Sequence, residues 1–473
     1  MELRRDLSYF DLTNIVVGAI VGSDIYIASA ITAGLVGPFS IVVWVIAGIM
    51  ATVLALVFAY SSYYVPKLGG SFAYVSTAFN DFFGFLAGWS MWIAEVLALP
   101  VFALTFANYL GYFVPLDFTE SLLVKALFLF GLTLVNIVGV KAAGRVNDVL
   151  TVAKLSPLLL MVVAGLVSFA YNPGLLSNYT PLAPLGLGNV GSALVLIFWA
   201  YVGFELGTLP SAEVKDPKTT VPKAIITGMA IVMFFYLSTN FVIFGTLNWS
   251  RLVGTSVPLV VVGSVLLGRF GGGIMSLGAL ISVSGSDESG TLGTARLSYA
   301  MAVDGLFPRS FARIHPKFKT PYVALIVQAV VAFVLSTYTQ LSSLISFSVF
   351  NLAFCFLLVC LAFFRLKKKG EGGLHGQNVV PVLGVAICLY LLYSTSSMDK
   401  LMGTAVIALG VPLYVYFSPK VDIHDLKAEL VSEEAILASA LEKRSRFLAN
   451  SLRGAHWIVQ SLRRHRSSRS PPA

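Results

Sequence analysis

Apolar runs of about 20 residues, the length that crosses a bilayer as an α-helix, recur from one end of this chain to the other. Of its 473 residues, 57% are hydrophobic and only 12% are charged. A soluble fold of this size has too little interior to hide that much apolar surface. A bilayer solvates the outside of the helices as well. In lipid every backbone polar group must be satisfied internally, which leaves helices or closed barrels. The runs are too long and too uniformly apolar for the short alternating segments of a barrel. The chain therefore reads as an all-α polytopic membrane protein.

Twelve transmembrane helices are expected, over about 10–35, 39–65, 80–114, 120–139, 147–171, 189–210, 221–247, 271–302, 321–338, 341–366, 378–395 and 400–418. The segment 250–268 is shorter and broken by Pro258, and it reads as an outer re-entrant or interfacial helix. The basic residues test this count, because cytoplasmic loops carry the excess of Lys and Arg. One side would hold Arg4, Arg5, Lys67, Lys141, Arg145, Lys215, Lys218, Lys223, Arg309, Arg313, Lys317, Lys319, Arg365, Lys367, Lys368 and Lys369. The other would hold only Lys125, Arg251, Arg269 and Lys400. That asymmetry puts the N- and C-termini in the cytoplasm of a multi-pass cell-membrane protein. A thirteenth span would scatter the later basic loops to the wrong side. The start, MELRRDLSYF, shows no signal-peptide cleavage pattern, so the first apolar run is expected to stay in the mature protein.

Residues 419–473 differ from the rest. They are rich in Lys and Arg, have helical composition from Asp425 to about Arg464, and end in SSRSPPA, which reads as disordered. This basic cytoplasmic tail either lies on the anionic inner leaflet as an amphipathic helix or is a solvated segment that only fixes orientation. The net charge of +9 thus speaks of topology and membrane lipid, not of nucleic acid. Cys355, Cys360 and Cys388 all fall inside apolar runs and form no metal or disulfide framework.

Two spans are interrupted at matching places. Span 1 contains GAIVGSDIYIASAITAG, with Gly18, Gly22, Ser23 and Gly34; span 6 contains FWAYVGFELGTLP, with Gly203, Gly207 and Pro210. These open two five-helix halves, 1–171 (spans 1–5) and 172–366 (spans 6–10), followed by 367–418 (spans 11–12). Glycines can merely let helices pack closely. Paired interruptions at corresponding positions instead point to a solute site at the bilayer midplane, where freed N–H groups hold an anion and freed carbonyls a cation.

The chain resembles the amino acid–polyamine–organocation (APC) superfamily of permeases over roughly residues 7–418. The resemblance rests on VPKLGGSFAYVSTAFNDFFGFLAGW at 65–89, YVGFELGTLPSAEVKDPKTTVPKAI at 201–225 and TARLSYAMAVDGLFPRSFARIHPKFKTPY at 294–322. It implies the five-plus-five inverted repeat of the bacterial leucine transporter, with broken spans 1 and 6, substrate held between spans 1, 3, 6, 8 and 10, and alternating access. The family loop in span 1 usually reads Gly-Ser-Gly-Ile-Phe; here it reads Gly22-Ser23-Asp24-Ile25-Tyr26. A glycine at the third position admits a carboxylate to bare N–H groups. Asp24 adds a side chain and, if ionised, a repelling charge.

Charges inside spans are expensive and mark functional candidates. Asp24, Glu95, Lys154, Glu205, Asp287 and Glu288 qualify, and the acidic excess suits a proton, a metal ion or a substrate ammonium in the pathway. By the resemblance, Lys154 takes the place of a sodium ion and bridges span 1 to span 8; otherwise it snorkels to the cytoplasmic interface. Ser282 and Ser286, one turn apart, can face span 1 and Lys154. Asp287 and Glu288 point about 100° apart on a helix, so at most one faces the site. Glu205 either accepts N–H bonds at the span 6 break or binds a substrate amine, and Glu95 can reach a distal cationic group. Asp24 can bind a substrate's cation, pair with Lys154 or carry a proton. Among the aromatics, Tyr201 and Phe204 are the gate candidates.

The expected substrate-binding set is Gly22, Ser23, Asp24, Ile25, Glu95, Tyr201, Gly203, Phe204 and Glu205, and the coupling set is Lys154, Ser282, Ser286, Asp287 and Glu288. No cofactor, metal cluster or catalytic residue is expected: there is no nucleotide loop or nucleophile elbow, and the five histidines are scattered in loops and tail. The expected function is secondary transport of amino acids or organic amines, proton-coupled or by exchange, leaning to a cationic amine or basic amino acid. An inorganic cation transporter or channel on a related fold is the competitor.

Overall fold

A computed structural model of the chain describes residues 8–65, 69–139, 143–205, 208, 214, 216–367 and 376–418. The expected tail helix, Gly207, Pro210 and the basic residues Arg4, Arg5, Lys67, Lys141, Lys215, Lys368 and Lys369 lie outside these residues.

Every regular element among the described residues is helical. In chain order they are α1 (Tyr9–Ile20), α2 (Asp24–Val36), α3 (Ser40–Tyr64), α4 (Ser71–Ala78), α5 (Asp81–Leu110), α6 (Phe118–Val138), α7 (Ala143–Tyr171), α8 (Val190–Ala200), α9 (Pro217–Thr246), α10 (Trp249–Leu252), α11 (Pro258–Val303), α12 (Tyr322–Tyr338), α13 (Leu341–Leu366), α14 (Val380–Ser394) and α15 (Ser397–Phe417). Except for the last turn of α15, these helices belong to one compact unit, Met1–Tyr414; Val415–Ala473 form a second. Local chemistry sets several starts. Ser8 and Asp11 form a reciprocal capping box on α1, as do Asp117 and Glu120 on α6. Asn80 accepts the Phe83 N–H at the start of α5.

Eight helical stretches among the described residues are long and apolar enough to cross a membrane, with Asp24–Tyr64 counted as one. Four shorter apolar helices, Tyr9–Ile20, Val190–Ala200, Tyr322–Tyr338 and Val380–Ser394, fall on other expected spans. Two of these, α1 and α8, are short because they stop at the interruptions.

Pro258 does not break a helix. It sits at the first position of α11, where a missing N–H costs nothing. The break comes later, at Leu267 and Gly268, the latter at φ +63°. There the chain doubles back so sharply that a Cβ on Gly271 would lie 2.1 Å from the Gly263 carbonyl oxygen. Along a straight helix those residues would be about 12 Å apart. Residues 258–266 are thus a short helix folded against the start of the long one.

α5 and α13 are the inner members, with 72% of their most apolar stretch buried, against 17% for α15. The outward face of α6 carries Leu123, Leu127 and Leu134, each about 60% exposed, a surface suited to lipid rather than water. α5 packs on α13, α11 and α12, while α1 packs on α9, α7 and α11 and both α2 and α3 pack on α8. Leu99, Ala103, Phe128, Leu129, Val283 and Ala332 form a core that joins α5, α6, α11 and α12.

Candidate functional site

Where α1 ends at Ile20, the last turn's carbonyls have no intrahelical partner. Tertiary donors meet them. Lys154 Nζ, from α7, donates to Gly18 O at 2.9 Å and to Ser286 Oγ at 3.0 Å. Ser286 Oγ, from α11, donates to Val21 O at 2.8 Å, and Ser282 Oγ lies 3.2 Å from Val21 O and 3.3 Å from Gly22 O. Tyr236 OH, from α9, lies 3.3 Å from Ile20 O and donates a hydrogen bond to Asp24 Oδ2. One ammonium and three hydroxyls thus occupy the negative end of the α1 dipole. Lys154 is 2% exposed, so it is not a snorkelling residue.

Asp24 opens α2 and folds back on the break: its Oδ1 accepts the Gly22 N–H at 3.0 Å. With Oδ2 taken by Tyr236, both oxygens have donors. The hydrogen bonds of Asp24 go to Gly22 and Tyr236 and those of Lys154 to Gly18 and Ser286, close enough for their opposite charges to attract.

The second interruption follows α8. Gly203 adopts φ +116°, and a Cβ there would lie 2.9 Å from Ala19 O and 3.2 Å from Ile20 Cα. The backbone of one break thus rests directly on the other, which only glycine permits. Glu205 Oε2 accepts the Gly203 N–H at 3.1 Å, repeating the Gly22–Asp24 geometry. Glu205 Oε1 is buried and has no hydrogen-bond partner among the described residues. A cavity of about 50 Å³ lies between the breaks, α5 and α13, and Asp24, Glu95, Gly203, Glu205, Ser286 and Ser348 contribute to its wall.

Several expected site residues sit elsewhere. Tyr201 OH donates to Trp44 O at 3.1 Å and its ring packs on Trp44 and Tyr236. Phe204 is fully buried between Phe58 and Phe356. Ile25 is core, and Ser23 Oγ is buried without a partner among the described residues. Asp287 is fully buried, with neither oxygen hydrogen-bonded among the described residues. It lies one turn from Val283, on the side of α11 that packs against α5 and α12, not on the Ser282–Ser286 face. Glu288 is partly buried. No group of three or more His, Cys, Asp or Glu side chains converges as a metal-ligand set among the described residues.

Tyr236 is the site residue without a sequence signal. It sits in MFFYLSTN among packing aromatics, and only its polar tip, one turn before the buried Asn240, hints at a partner. Asn240 Nδ2 donates to Tyr236 O at 2.8 Å and Asn240 Oδ1 accepts from Ser29 Oγ of α2 at 2.9 Å, so with Tyr236 at Ile20 O, α9 is fastened to both sides of the first break.

A multi-pass membrane protein with a polar cavity walled by the broken ends of two helices has the build of a solute transporter. The chain belongs to the amino acid permease family, whose model matches residues 7–415, and hence to the APC superfamily. It is 28% identical to a methylthioribose transporter of Bacillus subtilis, over 89% of this chain and 94% of that one. It is 26% identical to the branched-chain amino acid permease BcaP of the same organism (89% and 94% covered) and 26% identical to its serine/threonine exchanger SteT (88% and 97%).

Proposed function

We propose that this chain is a secondary active transporter of amino acids or organic amines that works by alternating access, is proton-coupled or an exchanger, and needs no sodium. The single observation behind this is Lys154, whose buried ammonium joins Gly18 O of α1 to Ser286 Oγ of α11. A fixed cation between carbonyl and hydroxyl oxygens does the work of a bound metal cation, and a buried lysine can release and regain its proton. The acidic cavity wall of Asp24, Glu95 and Glu205 favours a cationic amine or a basic amino acid. The relatives' named solutes, branched-chain amino acids, serine, threonine and methylthioribose, indicate a framework that accepts small solutes of differing chemistry.

The same reading takes twelve spans in two inverted five-helix halves, cytoplasmic termini in the cell membrane, and a basic tail against the anionic leaflet. Purified protein in proteoliposomes, screened with radiolabelled amino acids and amines with and without pH and sodium gradients, tests the function. Uptake or exchange of an amine or amino acid, indifferent to sodium, is the expected result. Uptake that requires sodium would overturn the coupling reading, and passive ion conductance without solute movement would favour a channel.

A further inference from the structure

Asp24 and Glu205 are equivalent in place but not in what they leave open. In each broken helix a carboxylate accepts the N–H of the glycine two residues before it: Gly22 N to Asp24 Oδ1 at 3.0 Å and Gly203 N to Glu205 Oε2 at 3.1 Å. N–H groups freed at the start of a helix are an anion site. At the first break the protein's own side chain already fills it. The filling is secured from behind, because Tyr236 OH holds the other oxygen of Asp24. At the second break the other oxygen, Glu205 Oε1, has no partner among the described residues although Glu205 is only 4% exposed. Both acids line the same cavity, together with Glu95. The hydroxyls on that wall already donate to backbone, Ser286 to Val21 O and Ser348 to Ala94 O. What the cavity offers a solute is therefore a buried acceptor beside a second acid. A buried acceptor without a donor is costly, and a ligand ammonium supplies one.

We propose that Asp24 is a resident occupant of the carboxylate position, so that the transported solute is a primary amine without an α-carboxylate, its ammonium seated on Glu205 Oε1. This rests on the reading of the chain as an amine or amino acid transporter and narrows it. A solute carboxylate at Gly22 would have to evict Asp24 from both Gly22 and Tyr236, or else share the position with a like charge. An amine meets neither obstacle.

Matched pairs that differ only in the carboxylate decide the matter: cadaverine and lysine, agmatine and arginine, tyramine and tyrosine. Binding to the full-length purified protein is measured by radioligand competition and by thermal stabilisation. In the wild type at least one amine binds about tenfold or more tightly than its amino acid, the loss of one charge-assisted contact. Asp24→Gly, which frees the Gly22 N–H, narrows or reverses that ratio. Glu205→Gln weakens the amine by about tenfold or more. Equal or tighter binding of the amino acids by the wild type overturns the role of Asp24 while leaving the transport reading intact. Binding of neither class by folded protein overturns both. The wild-type ratio needs no variant; if Asp24→Gly fails to insert, Asp24→Asn, which removes the charge and keeps the Gly22 acceptor, must still narrow it, and an unchanged ratio overturns the proposal.

Discussion

Lys154 Nζ lies 3.0 Å from Ser286 Oγ, and that hydroxyl passes the contact on to Val21 O at 2.8 Å. Three helices distant in sequence, α7, α11 and α1, thereby meet at the end of α1. The ammonium has a second anchor at Gly18 O, 2.9 Å away. Two carbonyls of an interrupted helix are thus held by one charge and one hydroxyl, a link that any separation of α1 from α11 must break.

Removing the charge should disable transport without preventing membrane insertion. In Lys154→Ala, Gly18 O loses its donor and Ser286 Oγ loses one of its two partners, keeping Val21 O, so uptake should fall by about tenfold or more, the value of charge-assisted hydrogen bonds. Initial uptake rates in proteoliposomes, normalised to inserted protein, give the answer. Wild-type rates retained by the variant would remove Lys154 from the coupling machinery.

Gly203→Ala tests the contact between the two breaks. Its backbone at φ +116° excludes a Cβ, which would also press on Ala19 O at 2.9 Å. Strain and overlap together should cost about 1–3 kcal/mol, read as a lower melting temperature and reduced uptake. Unchanged stability would mean that the two breaks do not touch in the membrane.

Tyr236→Phe keeps the ring packing on Trp44 and removes only the hydroxyl. Asp24 Oδ2 then lacks its donor, at a cost of about 1–3 kcal/mol. Asp24→Asn should be less harmful in a Tyr236→Phe background than in the wild type, because the two residues share one hydrogen bond. Additive losses in a double-mutant cycle of thermal stability would show that they act separately.

Orientation is open to labelling without first removing native thiols, since Cys355, Cys360 and Cys388 are all buried. Cysteines placed at the exposed positions Ser177 and Lys317 should react with impermeant maleimide from opposite sides, with Lys317 cytoplasmic. Reaction of both from one side would refute the topology.

Much of the fold was legible because span length and the interruption of spans are local properties. Twenty-residue apolar runs declare helices in lipid, and Gly18, Gly22 and Gly203 declare where two of them stop. The intramembrane charges Asp24, Lys154 and Glu205 announce themselves by their cost. Pro258 misled because a proline's effect depends on its place in the helix: harmless in the first turn, it left the reversal to Gly268. Which partner each polar atom takes depended on how distant helices cross. Tyr236 reaches Asp24 because α9 packs on α1, whereas Tyr201 and Phe204 are drawn into packing on α3 and α13. Sequence alone thus determined that this is a broken-helix membrane protein with acids in its interior. Only the tertiary structure decided that both oxygens of Asp24 take donors while one oxygen of Glu205 has none among the described residues, because hydrogen-bond partners are chosen by proximity in space and not along the chain.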